Sequence, residues 1–187
     1  MRILKFLLCL IITAGMVYAL DTKLGPIPPL GRLLSPSHGL WQNAEDVHPD
    51  LNFELAGPWL KNEVSVYLDD RLVPHIFAAN DEDACFAQGY LHARFRLWQM
   101  EFQTHAASGR LSEILGEKVG GNSVLELRDR HFRRLGMNYA AEKTLKAVEQ
   151  YPEIKSTWDA YTAGVNYYIS QLQKPDYPIE YKLLDYA

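Results

Sequence analysis

The sequence predicts an α+β chain, a strand pair followed by mainly helical segments, and three observations carry that prediction. Val64, Val66 and Leu68 alternate with Ser65 and Tyr67, the period of two of a half-buried strand. Beyond Asn80 the apolar residues recur at steps of three and four through three successive segments, the period of a helical stripe. Breaker and cap residues fall where each segment starts or stops, at Ser108-Gly109, Gly120-Gly121-Asn122-Ser123 and Lys174-Pro175.

Residues 1–19 read as an export signal. Arg2 and Lys5 supply a positive start, Phe6 to Met16 an apolar core, and Val17-Tyr18-Ala19 a small-residue cleavage pattern. The core is short for a membrane span, which needs about 20 apolar residues. Removal of the signal leaves 168 of the 187 residues, enough for one modest domain with its own core. Residues 20–62 are rich in Pro and Gly, and an extended segment without regular structure is expected there. Leu40, Trp41, Phe53 and Leu55 are available to pin it to a neighbouring surface.

Residues 63–187 hold the two strands and then the helices. The first strand begins at Glu63. Asp69-Asp70-Arg71 suits a turn, and Leu72 to Ala78 forms the second strand, at an edge because Pro74 cannot donate to a ladder. Asn80 is an N-cap, with Asp81, Glu82 and Asp83 placed where the helix dipole favours negative charge. Ala84, Ala87, Leu91, Phe95, Trp98 and Phe102 form the buried stripe, and their burial outweighs the ~1 kcal/mol propensity cost of Gly89. Ser108-Gly109 closes this helix, and Leu111, Ile114 and Leu115 make a short apolar turn. The next helix is expected to bury Val124, Leu127, Leu135, Tyr139, Leu145 and Val148, with a bend or division at Gly136. Pro152 suits a first helical turn, and Ile154, Trp158, Tyr161, Val165, Tyr168 and Leu172 continue the pattern until Lys174-Pro175-Asp176-Tyr177-Pro178. No closing element is evident from Leu183 to Ala187.

Composition excludes several roles. A net charge of −4 gives no footprint for nucleic acid. Cys85 is left without a partner once Cys9 departs with the signal, so disulfides do not hold the fold. Asp81 and neighbouring acidic charge raise the thiol pKa of Cys85, a structural rather than a reactive cysteine. Arg128, Arg130, Arg133 and Arg134, interrupted by Glu126 and Asp129, read as a solvated, salt-bridged helix face.

The residue chemistry yields no catalytic, cofactor-binding or metal-binding site. His75 reads as a core or edge imidazole bonded to backbone. Glu101 and His105 have metal-site spacing but no third ligand nearby, and read as a surface pair. His38, His48, His92 and His131 have no recognisable partners. Ser108-Gly109 is not the Gly-x-Ser-x-Gly turn of a nucleophile elbow, and Gly120-Gly121 lacks a phosphate-loop pattern.

Five segments together nevertheless resemble one family. They are Val73-Pro74-His75-Ile76, Gly89-Tyr90-Leu91-His92-Ala93, Arg96-Leu97-Trp98-Gln99-Met100-Glu101, Ser108 to Gly116, and Tyr161-Thr162-Ala163-Gly164-Val165-Asn166-Tyr167-Tyr168-Ile169. In this order and spacing the chain resembles the N-terminal α-chain part of penicillin acylase (penicillin amidase) precursors, hydrolases of the N-terminal nucleophile class. It departs from the family's pattern at Leu72, where Gly is usual and a tight turn is expected, and at Phe95, where Asp is usual.

The resemblance implies an αββα fold completed by a β chain of the same precursor. It implies an exported, self-cleaving zymogen whose β chain begins with a nucleophilic Ser, located periplasmically or extracellularly and meeting the membrane only through the export signal. The implied substrates are small acyl amides, the side-chain amides of β-lactam antibiotics or N-acyl homoserine lactones. A calcium ion is implied for the whole enzyme, with ligands outside these residues, and no catalytic, pocket or metal residue carries onto this chain. The alternative reading is a non-catalytic exported helical binding or adaptor domain, or a degenerate acylase. Exported protein is expected to begin at Leu20, which intact-mass analysis checks directly; retained Met1 would contradict signal cleavage.

Overall fold

A computed structural model of the protein describes residues 2–22, 29–37, 39–44, 52–57, 59–116, 122–184 and 186. The Pro-rich stretch before Pro29, His38, His48 and Gly120-Gly121 lie outside the described residues. The elements in chain order are α1 (Arg2–Asp21), α2 (Leu30–Leu33), α3 (Leu40–Asn43), β1 (Asn52–Leu55), β2 (Val64–Leu68), β3 (Pro74–Phe77), α4 (Asp81–Ser108), α5 (Leu111–Leu115), α6 (Val124–Leu135), α7 (Met137–Val148), α8 (Pro152–Gln171), a 3-10 turn (Lys174–Asp176) and α9 (Ile179–Leu184). The protein is thus α+β, mostly helical with a small antiparallel sheet. Two compact units form, one from Met1–Asp46 with Gln173–Ala187 and the other from Val47–Leu172.

In the first unit, α1 buries none of its residues. The Lys182 ammonium donates to Asn43 Oδ1 at 2.6 Å, the Pro175 carbonyl at 2.8 Å and the Gly39 carbonyl at 3.3 Å, tying α3 to α9. Burial lowers the Lys182 pKa, and Asp176 opposes that in part. The helices α2, α3 and α9, and the strand β1 of the second unit, are regular structure where the sequence led us to expect none. The Pro-based argument overlooked that four- to six-residue elements fit between prolines when tertiary contacts hold them.

The second unit is built on β2, which pairs antiparallel with β1 on one side and β3 on the other. Val64, Val66 and Leu68 all face inward, with Leu55 of β1 beside them, and pack on Ala87 and Leu91 of α4. Phe53 and Ile76 close the edges of this core. The pleat therefore decides burial as the alternation predicts, and β3 is an edge strand as Pro74 requires. Asp69 accepts the amides of Arg71 and Val73 at 2.9 and 2.8 Å, fixing the turn between β2 and β3. Leu72 closes that turn at φ 59°, the left-handed conformation in which a side chain is strained.

Helix α4 starts as expected, with Asn80 Oδ1 accepting the Asp83 amide at 2.9 Å. Gly109 ends it at φ 68°. Against α4 lies α8, and the crossing is set by two glycines. A Cβ on Gly89 would sit 2.1 Å from the Tyr161 carbonyl oxygen, and one on Gly164 would sit 2.0 Å from the Phe86 carbonyl oxygen. Each helix thus lays its backbone directly on the other, and only glycine leaves room. Around this crossing, Tyr90 contacts Phe53, Tyr167 and Tyr168 with ring centroids 6.2, 6.0 and 5.5 Å away, and Phe86 contacts Tyr167 at 5.8 Å.

The predicted stripes are only partly those that are buried. Arg96 leaves helical geometry (φ −144°, ψ 25°) and kinks α4. Phe95, immediately before the kink, is 45% exposed instead of joining the buried stripe. In α6 the buried residues are Leu125 and Asp129, one turn apart, which directs Val124, Leu127 and Leu135 outward. Tyr139 and Leu145 of α7 and Ile154 and Trp158 of α8 are exposed as well. Gly136 divides α6 from α7 at φ 71°.

Either Gly89→Ala or Gly164→Ala is expected to destabilise the fold by at least about 2 kcal/mol, because backbone atoms must part; urea-unfolding midpoints measure this. Leu72→Gly is expected to stabilise by roughly 0.5–1 kcal/mol, the relief of left-handed strain less the added chain entropy.

Candidate functional site

Two buried carboxylates organise the polar parts of the second unit. Asp83 is 1% exposed. Its carboxylate accepts the Lys61 and Asn62 amides at 2.8 and 2.9 Å and the Asn80 side-chain amide at 2.6 Å. One residue thus joins the loop before β2 to the start of α4. Burial pushes the Asp83 carboxyl up, but the Lys61, Asn80 and Asn62 hydrogen bonds outweigh it and hold the pKa below the ordinary value.

Asp129 does the same for α5. It accepts the Leu111 and Ser112 amides at 3.0 and 2.8 Å, and the Ser112 hydroxyl donates to it as well. These amides belong to the first turn of α5, so a carboxylate from α6 serves as its cap. Burial again raises the pKa, and the Ser112 and Leu111 bonds, with Arg133 nearby, bring it below the ordinary value. The Arg-rich face is therefore only partly solvated. Arg130 pairs with Glu126 at 2.6 Å, whereas Arg133 Nε donates to the Gly109 carbonyl at 2.8 Å and Arg128 lies over the Phe132 ring at 4.8 Å.

The histidines are placed differently from expectation. His75 is exposed on the outer face of the sheet, 3.7 Å from the Asp69 carboxylate, because its register opposite Tyr67 points it away from the core. His105 is buried rather than at the surface, its Nδ1 3.0 Å from the Glu101 carbonyl oxygen one turn back. His92 Nδ1 lies 2.9 Å from the Tyr161 hydroxyl, a link between α4 and α8 that sequence spacing could not reveal. Cys85 has its pKa raised by burial first, then by Asp81 and Glu82. The Ser108 hydroxyl donates to the Thr104 carbonyl at 2.8 Å. Among the described residues no three His, Cys, Asp or Glu side chains gather as a metal site.

A groove of about 540 Å³ lies beside the α4 kink, lined among others by Leu72, Pro74, His92, Phe95, Arg96 and Met100. It holds apolar surface and positive charge but no pairing of nucleophile with base. What the described residues build here is a wall of crossed helices and a sheet edge.

Comparison with known proteins places this wall. The penicillin amidase family model matches residues 63–187, two thirds of the chain. The chain belongs to the penicillin amidase family. The penicillin acylase 2 proenzyme of Pseudomonas sp. strain SE83 is 37% identical over 136 residues, 73% of this chain and 16% of that protein. The acyl-homoserine lactone acylase QuiP of Pseudomonas fluorescens Pf0-1 is 33% identical over 127 residues, 68% of this chain and 15% of that protein. This penicillin amidase family member thus spans about a sixth of the length of these curated relatives. The solved structure of a thermostable penicillin G acylase from Alcaligenes faecalis, an N-terminal nucleophile hydrolase, matches with a TM-score of 0.59 and 25% identity, covering 66% of this chain and 62% of that one. The family motifs fall on structural contacts: Gly89 and Gly164, from two of them, form the helix crossing.

The folded pKa of Asp83 and of Asp129 lies below the ordinary carboxylate value, so their stabilisation is complete above about pH 5 and is lost as pH falls through the folded values. Stability is expected to drop between about pH 5 and the acid limit of folding. Asp83→Ala, which strands the Lys61 and Asn62 amides, is expected to cost about 1–3 kcal/mol at neutral pH and to flatten that slope in pH-dependent urea titrations.

Proposed function

We propose that this chain is the exported α-chain portion of a precursor amidohydrolase that cleaves linear amide bonds of acylated substrates. The observation that carries the reading is the family match over residues 63–187, joined to relatives named as a penicillin acylase and an acyl-homoserine lactone acylase. The reacting groups belong to a β chain. Its N-terminal Ser attacks the amide carbonyl carbon, its own α-amino group takes the hydroxyl proton, and the amine leaves with a proton as an acyl-enzyme forms. Water then hydrolyses the acyl-enzyme, and donors in the β chain stabilise the oxyanion of each tetrahedral intermediate.

The residues described here supply the scaffold for that chemistry. The crossing of α4 with α8 gives a rigid wall, and the sheet of β1, β2 and β3 adds to the core sheet of the whole enzyme. The apolar α1, with Arg2 and Lys5 near its start, supports reading it as an export signal and the enzyme as periplasmic or extracellular. Exposed apolar residues on α6, α7 and α8 await burial against the β chain. Substrate choice between β-lactam side chains and N-acyl homoserine lactones rests with pocket residues outside this chain.

The protein expressed from its own gene is expected to hydrolyse the side-chain amide of penicillin G or the acyl amide of an N-acyl homoserine lactone, which the appearance of free amine measures. Residues 20–187 produced alone are expected to be inactive and poorly soluble. A soluble, well-dispersed NMR spectrum of residues 20–187 with no hydrolysis by the gene's full product would instead favour the non-catalytic binding domain.

A further inference from the structure

We propose that the cavity of the first unit is a binding site for a small aromatic carboxylate. The inference goes beyond the amidase reading and does not depend on it. Every residue it uses lies in Met1–Asp46 or Gln173–Ala187.

The cavity has a volume of about 590 Å³. Ligand sites measure about 300–1,000 Å³ and join apolar walls to a few placed polar groups. Here the apolar walls are the rings of Tyr177, Tyr181 and Tyr186. Tyr177 meets Tyr181 edge-on with ring centroids 6.2 Å apart, and Tyr181 stacks on Tyr186 at 6.2 Å with 15° between the planes. Tyr181, in the middle of this group, is buried. A fixed set of ring faces and edges offers a planar ligand the offset and edge-to-face contacts that aromatic groups prefer.

The charge around the cavity is unbalanced. Arg32, Lys174 and Lys182 line it as cations, and among the described residues Asp21 is the one acid in the lining. That acid is committed to Arg32, with Asp21 Oδ1 3.0 Å from Arg32 Nε. Lys182 has three oxygens around its ammonium, those of the Asn43 side chain and of the Pro175 and Gly39 carbonyls. All three are neutral acceptors, so they fix the cation in place without cancelling its charge. Burial holds the Lys182 pKa below the ordinary lysine value, and Asp176 opposes that only in part. An anion entering the cavity therefore meets a positive charge that the fold leaves under-compensated. Lys174 is exposed and makes no ion pair among the described residues, which keeps its ammonium available for a second, direct contact.

The two sets of groups together define the ligand. Cations without a balancing acid select a negative group, and charge-assisted hydrogen bonds to a carboxylate are among the stronger ones. Three rings beside those cations select a flat apolar body, which an inorganic anion lacks. Sequence spacing could not show this site, because Arg32 lies about 140 residues before Lys174 and Lys182.

Isothermal titration calorimetry on the protein expressed from its own gene, with benzoate as the probe, tests the site. Benzoate is expected to bind at least about tenfold more tightly than acetate, which lacks the ring, and than benzamide, which lacks the charge. Lys174→Glu is expected to weaken benzoate at least about tenfold, and Lys174→Arg to keep its affinity within about threefold. Tyr177→Leu is expected to weaken benzoate about fivefold or more and to leave acetate unchanged. No benzoate binding at millimolar concentration overturns the inference. So does benzoate binding that Lys174→Glu leaves unchanged, which assigns the ligand to another place on the protein. Acetate or inorganic phosphate binding as tightly as benzoate makes the cavity an unselective anion site and overturns the aromatic assignment.

Discussion

The close crossing of α4 and α8 at Gly89 and Gly164 is the constraint on which the second unit depends. Either Cβ would stand about 2 Å from a carbonyl oxygen of the other helix, so the two backbones touch without side chains between them. Packed interiors transmit such a fixed distance because they are as dense as organic crystals. With α8 locked to the first half of α4, Ala87 and Leu91 of α4 keep their place under Val64, Val66 and Leu68. The aromatic group of Tyr90, Tyr167 and Tyr168 fills the flanks, and the His92–Tyr161 contact adds a polar link on the same pair of helices.

Helix ends are secured by carboxylates drawn from elsewhere in the chain. Asp83 lies in the first turn of its own helix and reaches back to the loop before β2, whereas Asp129 reaches from α6 to the first turn of α5. Both trade solvation for backbone amides that otherwise lack partners, and both remain ionised because those amides outweigh the effect of burial. Of these devices, only the Leu111 and Ser112 amides lie in a segment by which the chain resembles its family. The family motifs that carry Gly89 and Gly164 coincide with a fixed contact distance between two helices.

Much of the second unit was legible in the sequence because its signals are local. Alternation fixed which side of β2 faces the core, Pro74 made β3 an edge, and Asn80 capped α4. The Asn80-x-x-Asp83 spacing is a capping pattern that could have exposed the role of Asp83, had its carboxylate been followed beyond the helix dipole. Within α4 the sequence shows Gly89 only as a loss of helix propensity, since nothing local reveals that Tyr161 and Gly164 lie opposite. Asp129 was misread for the same reason: its partners are 17 and 18 residues away. The stripes of α4 and α6 failed where the kink at Arg96 and the inward pull of Asp129 turn the helix faces, effects that a fixed 3.6-residue period does not contain.

Under the proposed amidase reading, this scaffold gains its function from a second chain that covers it. The most direct measurement is N-terminal sequencing with intact-mass analysis of the mature protein purified from its native source. The account predicts two polypeptides in equal amounts, one beginning at Leu20 and containing the α4–α8 crossing, the other beginning with Ser. A single polypeptide ending within or near the present sequence, with no Ser-initiated companion, would contradict it.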